Sequence, residues 1–511
     1  MKKILTLLSI FAFSIGLQAC NENDTNITAT LSVAEAGIQI NTASFDVAIL
    51  DPDFDITGNI FIYLSNDLAT VDTKTYSSSD SVGLVVFNNL TAGTTYTIEI
   101  KVTVGRDSLN ILTETFTTLE QASLDIETPE DFLAMANNRS GNYVLKNDID
   151  FTGVEFVTPF TSSFIGSFEG NGFTLSNITI TDSRLYNGVF GYISSGSVKN
   201  LHIDNLMIGS EENPIVTTSS TKTGFLTGYQ ASSLSVIENI TIKNASMYLE
   251  SSSSTYAYVG GIAGESRGRV ENVIVENGHV SLKTTSNAIV RLAGGIGYGY
   301  ESLQASKLHI DVDVAFELEA DITTRSNREF SLYVGGLMGD VDPQATTLGK
   351  FEDMIYTGSI RLSNVDFNTN ENDEANYSVF VGGAFGVINR SFDNMYIDAT
   401  IDVTIDPIDV ESNISQTLRV GGFAGLVNTY DIPEHIVLNG GHITLNFDAD
   451  QIQTRVASFI ALSRLAPMEG FTLSLVVIEG VTVDASLNLN TLQSLTNFFE
   501  SEFLNEQLIG A

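Results

Sequence analysis

Five histidines are the side chains best suited to bind a metal or shuttle a proton in this 511-residue chain: His202, His279, His309, His435 and His442. None stands in His-Glu-x-x-His, the spacing that sets two imidazoles and a general base on one helix face. His202 and His309 occupy equivalent x-His-Ile positions far apart in the chain, which predicts solvent-facing side chains and no shared ion. The Gly-x-Ser-x-Gly string Gly264-Glu-Ser266-Arg-Gly268 is followed by no helical pattern and so makes no nucleophile elbow, and no phosphate loop is present, so serine hydrolysis and nucleotide binding are not indicated. Carboxylates are abundant. Asp311 and Asp313 alternate on one strand face, as do Asp398 and Asp402, and a glycosidase needs two carboxylates at a set separation. Arg267, Arg269 and Arg291 come closest to a basic group able to neutralise a uronate. With 24 basic against 62 acidic residues, that scarcity argues against an anionic substrate.

A net charge of −38 repels nucleic acid and anionic headgroups, which excludes both as partners. Calcium is the one metal left open, weakly, and no cofactor is expected. The run Asp51-Pro-Asp53-Phe-Asp55 resembles the opening of an EF-hand loop. Ile56 and Ile62, however, stand where that loop needs its glycine and its bidentate glutamate. An acidic inter-strand loop is the simpler reading. A second oxygen-rich stretch, residues 368–377, reads as a polar insertion.

The elements that must position such residues begin with an export signal. Lys2 and Lys3 precede an apolar run from Ile4 to Leu17 that ends Leu17-Gln18-Ala19-Cys20. Residues 1–19 resemble a bacterial lipoprotein signal, which implies lipidation of Cys20 as the mature N-terminus. Cys20 is also the sole cysteine, so disulfides are excluded. Residues 20–26 read as a polar tether. From 27 to 119, short alternating strands punctuated by Gly, Asn, Asp and Ser predict a β-sandwich. Within it, Leu90-Thr-Ala-Gly-Thr-Thr-Tyr96 resembles the tyrosine corner of a fibronectin type III domain. No tryptophan exists in the chain, so Phe45 is expected to fill that core position. Residues 120–140 carry a capping helix, signalled by Thr128-Pro129-Glu130-Asp131 and an apolar face of Phe132, Leu133, Met135 and Ala136.

The remainder, 141–487, repeats itself. Tyr258-Val-Gly-Gly-Ile-Ala-Gly264 recurs in variants marked by Gly188, Gly224, Gly261, Gly295, Gly336, Gly383 and Gly422. The period of roughly 35–45 residues is that of stacked units that bury their apolar faces against one another. Preceded by Gly141-Asn-Tyr-Val-Leu-Lys-Asn-Asp-Ile-Asp150 and Phe164-Ile-Gly-Ser-Phe-Glu-Gly-Asn-Gly-Phe-Thr-Leu175, this pattern resembles the GLUG-motif repeats of bacterial surface proteins. The resemblance implies a parallel β-solenoid on a cell surface. Independently, the unit Tyr258–Lys283 divides into three apolar stretches with no helical pattern: Tyr258–Ala263, Val270–Val275 and His279–Leu282. Asn177, Asn200, Asn239, Asn272 and Asn394 each open an apolar-x-apolar run and predict a ladder of stacked amides, interrupted by Lys307, Asp353 and His435. Loops near 340–350 and 368–377 lengthen two units. Helical spacing of Leu492, Leu495, Phe499 and Phe503 predicts a C-terminal cap over 488–511.

The sequence therefore predicts an all-β chain: a sandwich followed by a parallel β-helix with helical caps. It predicts an envelope protein held outside the cytoplasmic membrane, at the surface or outer membrane, by lipid on Cys20. Its expected role is adhesion or ligand binding, to a glycan or to a surface or host protein. The competing reading is a polysaccharide lyase or glycoside hydrolase working on the side face of the helix.

Overall fold

The structure is a computed structural model that describes residues 26–39, 41–66, 70–91, 93–119, 123–253, 255–285, 289–318, 330–342, 351–363, 377–404, 416–428, 436–439, 442–447, 453–457, 476–479 and 482–487. Cys20, His435, the 368–376 insertion and the expected C-terminal helix lie outside these. The chain divides into two compact units, Met1–Ala122 and Ser123–Ala511.

Alternation of apolar and polar residues makes the first unit a β-sandwich. One antiparallel sheet joins Thr28–Ile38, Ala43–Leu50 and Val82–Phe87. The other runs Thr70–Tyr76, Ile60–Ser65, Thr95–Val104 and Asp107–Thr117. Ile60, Ile62 and Leu64 point inward with Phe61 and Tyr63 between them, as a two-residue period requires. Phe45 is buried and packs edge-on against Phe87 and Phe116, with centroids at 6.4 and 5.0 Å. The Tyr96 hydroxyl accepts a hydrogen bond from the Thr91 amide at 2.8 Å, closing the turn before its strand. The Asp51 carboxylate accepts the amides of Asp55 and Ile56 at 2.9 and 3.0 Å, so the acidic loop ties itself down.

The second unit is a parallel β-helix. Its open N-terminal end is covered by the helix Pro129–Ala134, with a reciprocal Thr128–Asp131 capping box. Phe132 is fully buried there, within 5.7–6.0 Å of the rings of Phe151, Phe156, Phe168 and Phe190. Before this helix, Ser123–Ile126 already forms a parallel strand against Asn142–Leu145, so residues 120–140 are not all helix.

Each coil contributes to three parallel sheets, but it is cut in different places from those its apolar stretches suggest. The glycine pair splits the first stretch into Tyr256–Gly260 and Ala263–Ser266. The other two fuse into one strand, Arg269–Thr284, which pairs with Val236–Ser251 and Gln304–Leu318. Two asparagines bend that strand without ending it. Asn272 and Asn277 have φ of 53° and 55°, and at each of them two consecutive residues face outward before the alternation resumes. Asparagine tolerates the left-handed region better than other non-glycine residues, which explains its recurrence at such corners.

Candidate functional site

Around Gly260 and Gly264 the second and third sheets close on one another. A Cβ on Gly260 would lie 2.5 Å from the Ala263 carbonyl oxygen, and one on Gly264 2.5 Å from the Thr223 amide and 2.6 Å from the Tyr258 oxygen. Only a bare backbone permits that approach. Two rows of side chains therefore meet along the seam. In register on the second sheet stand Tyr186, Lys222, Tyr258, Arg291, Tyr333 and Phe380. On the third stand Tyr192, Tyr229, Glu265, Tyr298 and Asp340.

The rows interlock by one rule applied twice. The Lys222 ammonium sits 3.7 Å from the Tyr229 ring centroid in its own coil and pairs with Glu265 of the next coil at 2.6 Å. Arg291 lies 4.0 Å from the Tyr298 centroid in its own coil and pairs with Asp340 of the next at 2.7 Å. Arg267 adds a second cation to Glu265, at 2.7 Å, and stacks 3.9 Å from the Tyr300 centroid. Tyr256 and Tyr258 stack at 4.6 Å, and Tyr192 and Tyr229 at 5.2 Å. Arg291 donates to the Tyr258 hydroxyl, and the Tyr298 hydroxyl donates to Asp342.

Burial sets the electrostatics of the seam. The Glu265 side chain is 2% exposed and that of Lys222 8%. Burial lowers Lys222 from the usual lysine range, and Glu265 only partly restores it. Desolvation pushes the Tyr229 and Tyr258 phenols up to about 12, and Tyr298 higher still. Burial likewise raises Asp340 against the opposing pull of Arg291. Cations this desolvated gain from ring faces as well as from their carboxylates. The polar tips of the seam are thus largely spent on each other, while Tyr186, Tyr192, Tyr229, Tyr256, Tyr298 and Tyr300 keep part of their surface in solvent.

The three arginines singled out above are not one group. Arg267 and Arg291 belong to the seam, whereas Arg269 lies on the long-strand sheet, bridging Glu238 and Glu271 at 2.9 and 2.6 Å. Asp311 and Asp313 do share the outer face of that sheet, flanking buried Val312. One oxygen of each is already engaged: Asp311 accepts from the Asn277 backbone amide, and Asp313 from the amide and hydroxyl of Ser359 at 2.9 and 2.6 Å. Asp398 and Asp402 occupy outer positions two strands along the same sheet. His202 and His309 fall in one row, three coils apart, and the His279 ring lies 5.0 Å from that of Tyr248, tilted by 40°.

The asparagines form two rows. Asn200 donates to Glu169 at 2.9 Å, Asn239 to Asn200 at 2.8 Å and Asn272 to Asn239 at 2.8 Å. Lys307 and Asp353 continue this corner with φ of 56° and 58°, and Asn394 donates to Asp353. Asn177 does not belong with them. It sits at a second corner, accepting from Asn205 at 2.6 Å, where Asn277 likewise donates to Asn244 at 2.8 Å. That second row, and the tyrosine seam, are the features the sequence reading missed. Both leave a trace: an asparagine five residues after the first in three units, and a Tyr, Lys, Arg or Phe two residues before the first glycine of most motifs.

The sequence matches no protein-family model and no curated protein. Among solved structures, similarity is found to a computationally redesigned β-sandwich protein, at 25% identity over 18% of this chain and 94% of that one, TM-score 0.15. Pectate lyase Pel3 of Pectobacterium carotovorum aligns at 11% identity over 90% of this chain and 99% of its own, TM-score 0.14. The family 28 exopolygalacturonase of Yersinia enterocolitica aligns at 7% identity over 90% and 99%, TM-score 0.16. Likenesses at such TM-scores say nothing about the activity of this chain.

Proposed function

We propose that the protein is a lipid-anchored envelope protein that binds a ligand on the flank of its β-helix and does not transform it. In this reading Cys20 carries the lipid and the sandwich, fibronectin type III-like in its tyrosine corner, acts as a spacer. The GLUG-like coils present the ligand surface, with a glycan or another surface protein as ligand. The observation that supports binding over catalysis is the seam's internal pairing. A general acid or base must exchange a proton with its substrate, and a carboxylate 2% exposed that already holds two cations is poorly placed for that.

The test uses the exported chain carrying Cys20→Ser, so that no lipid is added, against a panel of polysaccharides and matrix proteins with and without calcium. Retention without product release is the expected result. Time-dependent release of shortened or unsaturated sugars overturns the binding reading and returns the lyase or hydrolase.

A further inference from the structure

We infer that residues 50–55 of the sandwich form a contact with a lipid bilayer whose surface carries no net charge. This rests on the lipid-anchor reading above and adds the face that the anchor brings down. The alternation in this loop is inverted with respect to water. Leu50, Pro52 and Phe54 are exposed, Leu50 by 63% and Phe54 by 88%, whereas Asp51 and Asp55 are half-buried. The Asp51 carboxylate accepts the backbone amides of Asp55 and Ile56, and that of Asp53 accepts the side-chain amide of Asn26 at 3.1 Å. Two of the three acids therefore hold the loop in shape, and apolar side chains are what it presents outward. Phe54 stands at φ 56°, a conformation that bulky residues keep only where their surroundings impose it. The adjoining hairpin adds a brace: the Thr57 amide donates to the Thr103 carbonyl at 2.9 Å, and the Gly105 amide to the Thr57 hydroxyl at 2.7 Å. A fixed, outward aromatic ring with leucine and proline beside it is the kind of exposed apolar surface that marks a contact.

Position says what the loop meets. Asn26, held against Asp53, follows Cys20 by six residues, a span of at most about 20 Å even when fully extended. Lipid on Cys20 therefore keeps this end of the sandwich within about 20 Å of a bilayer. The chain leaves the sandwich at the opposite end: Ile60, next to the loop, pairs with Val102, whereas Thr95 at the far end of that strand pairs with Thr117, roughly 25 Å away. An apolar ring exposed to water gains by entering the boundary between headgroups and acyl chains. Charge then selects the surface. The carboxylates of Asp51, Asp53 and Asp55 around the ring repel anionic headgroups. Arg106, exposed on the hairpin turn beside the loop, suits the phosphate of a zwitterionic headgroup.

The chain contains no tryptophan, so Phe54→Trp places a single fluorescent reporter on the loop, and Leu119→Trp, at a position 52% exposed, places one at the opposite end. Each full-length chain with Cys20 intact is reconstituted with phosphatidylcholine vesicles carrying brominated acyl chains, and its folding is checked by circular dichroism. The same substitutions in the Cys20→Ser chain without vesicles give the reference spectra. The Phe54→Trp reporter is expected to emit at shorter wavelength than its reference. Bromines on shallow acyl carbons should quench it most, since interfacial side chains reach about 5–10 Å into the headgroup–acyl boundary. The Leu119→Trp reporter should keep its reference spectrum, and added phosphatidylglycerol should weaken the quenching at position 54. Should Phe54→Trp not fold, Leu50→Trp carries the test. A chain that floats with the vesicles while its loop reporter stays unshifted and unquenched overturns the contact and leaves the anchor standing. A chain that does not float overturns the anchor reading itself. Equal quenching at both ends overturns the assignment to this loop, and stronger quenching with phosphatidylglycerol overturns the uncharged surface. A shift in the Cys20→Ser chain that grows with protein concentration marks a contact between copies and overturns the bilayer as partner.

Discussion

Replacing Asn239 separates the two things an asparagine does at a coil corner. Its φ is 56°, and its side chain sits mid-ladder, donating to Asn200 and accepting from Asn272, both at 2.8 Å. Alanine there costs about 1–2 kcal/mol for the left-handed backbone. Loss of two solvent-exposed amide bonds adds about 0.5 kcal/mol each, the low end for a hydrogen bond. Asn239→Ala should therefore destabilise its coil by about 2–3 kcal/mol. Asn239→Gly loses the same bonds without the strain and should cost about 1 kcal/mol. Because the chain holds two compact units, a single global unfolding energy is poorly defined, and local opening is the better measure. Native-state hydrogen exchange of the amides of Val236–Ser251 reads it, each ten-fold acceleration marking about 1.4 kcal/mol. The alanine variant should exchange roughly thirty- to a hundred-and-fifty-fold faster than the parent, and the glycine variant less than ten-fold. A glycine variant as fast as the alanine variant would falsify the view that backbone conformation selects asparagine here.

Three further expectations follow from the same geometry. Gly264→Ala drives a Cβ to within 2.5–2.8 Å of three backbone atoms, so the seam must open at a cost of about 3 kcal/mol; unchanged exchange in Ala263–Ser266 would contradict it. Lys307→Asn gives the same left-handed corner a residue that tolerates it and an amide to extend the ladder above Asn272. It should slow exchange across Gln304–Leu318, and acceleration counts against the ladder. Tyr229 and Tyr258 are held protonated in the fold up to about 12, so their contribution is intact below the ordinary phenol value and is lost as pH rises from there through about 12. Spectroscopic titration of phenolate should show a delayed set of tyrosines until alkaline unfolding, and a single transition near the ordinary value in the folded protein would refute the buried seam.

How much of this is readable without coordinates depends on whether a feature lies within one unit or between units. The glycine pair, the capping box at Thr128 and the asparagine corners are local: each is demanded by the backbone of its own few residues, so sequence shows them directly. The cut of each coil was misjudged because apolar runs mark buried surface, while strand ends follow backbone conformation. A left-handed asparagine bends a strand that stays paired on both sides, whereas two glycines end one inside an apolar run. Assigning Asn177 to the first row failed for a related reason: its Ser-Asn-Ile-Thr-Ile context is the same as that of the first corner, and only the pairing of Ser176 with Asp204 places it at the second. The seam lies further from view. Lys222 and Arg291 each stack on a tyrosine of their own coil but find their carboxylate in the next one, Glu265 and Asp340. Insertions change the chain length between coils while the strand register stays fixed, so these partners stand at unequal separations and no period in the sequence reveals them. The tyrosine half of the site is written in the repeat, and the charge half exists only once the coils are stacked. That division is why Arg267 and Arg291 read as part of a weak basic group in the sequence and as carboxylate-paired supports for aromatic rings in the fold.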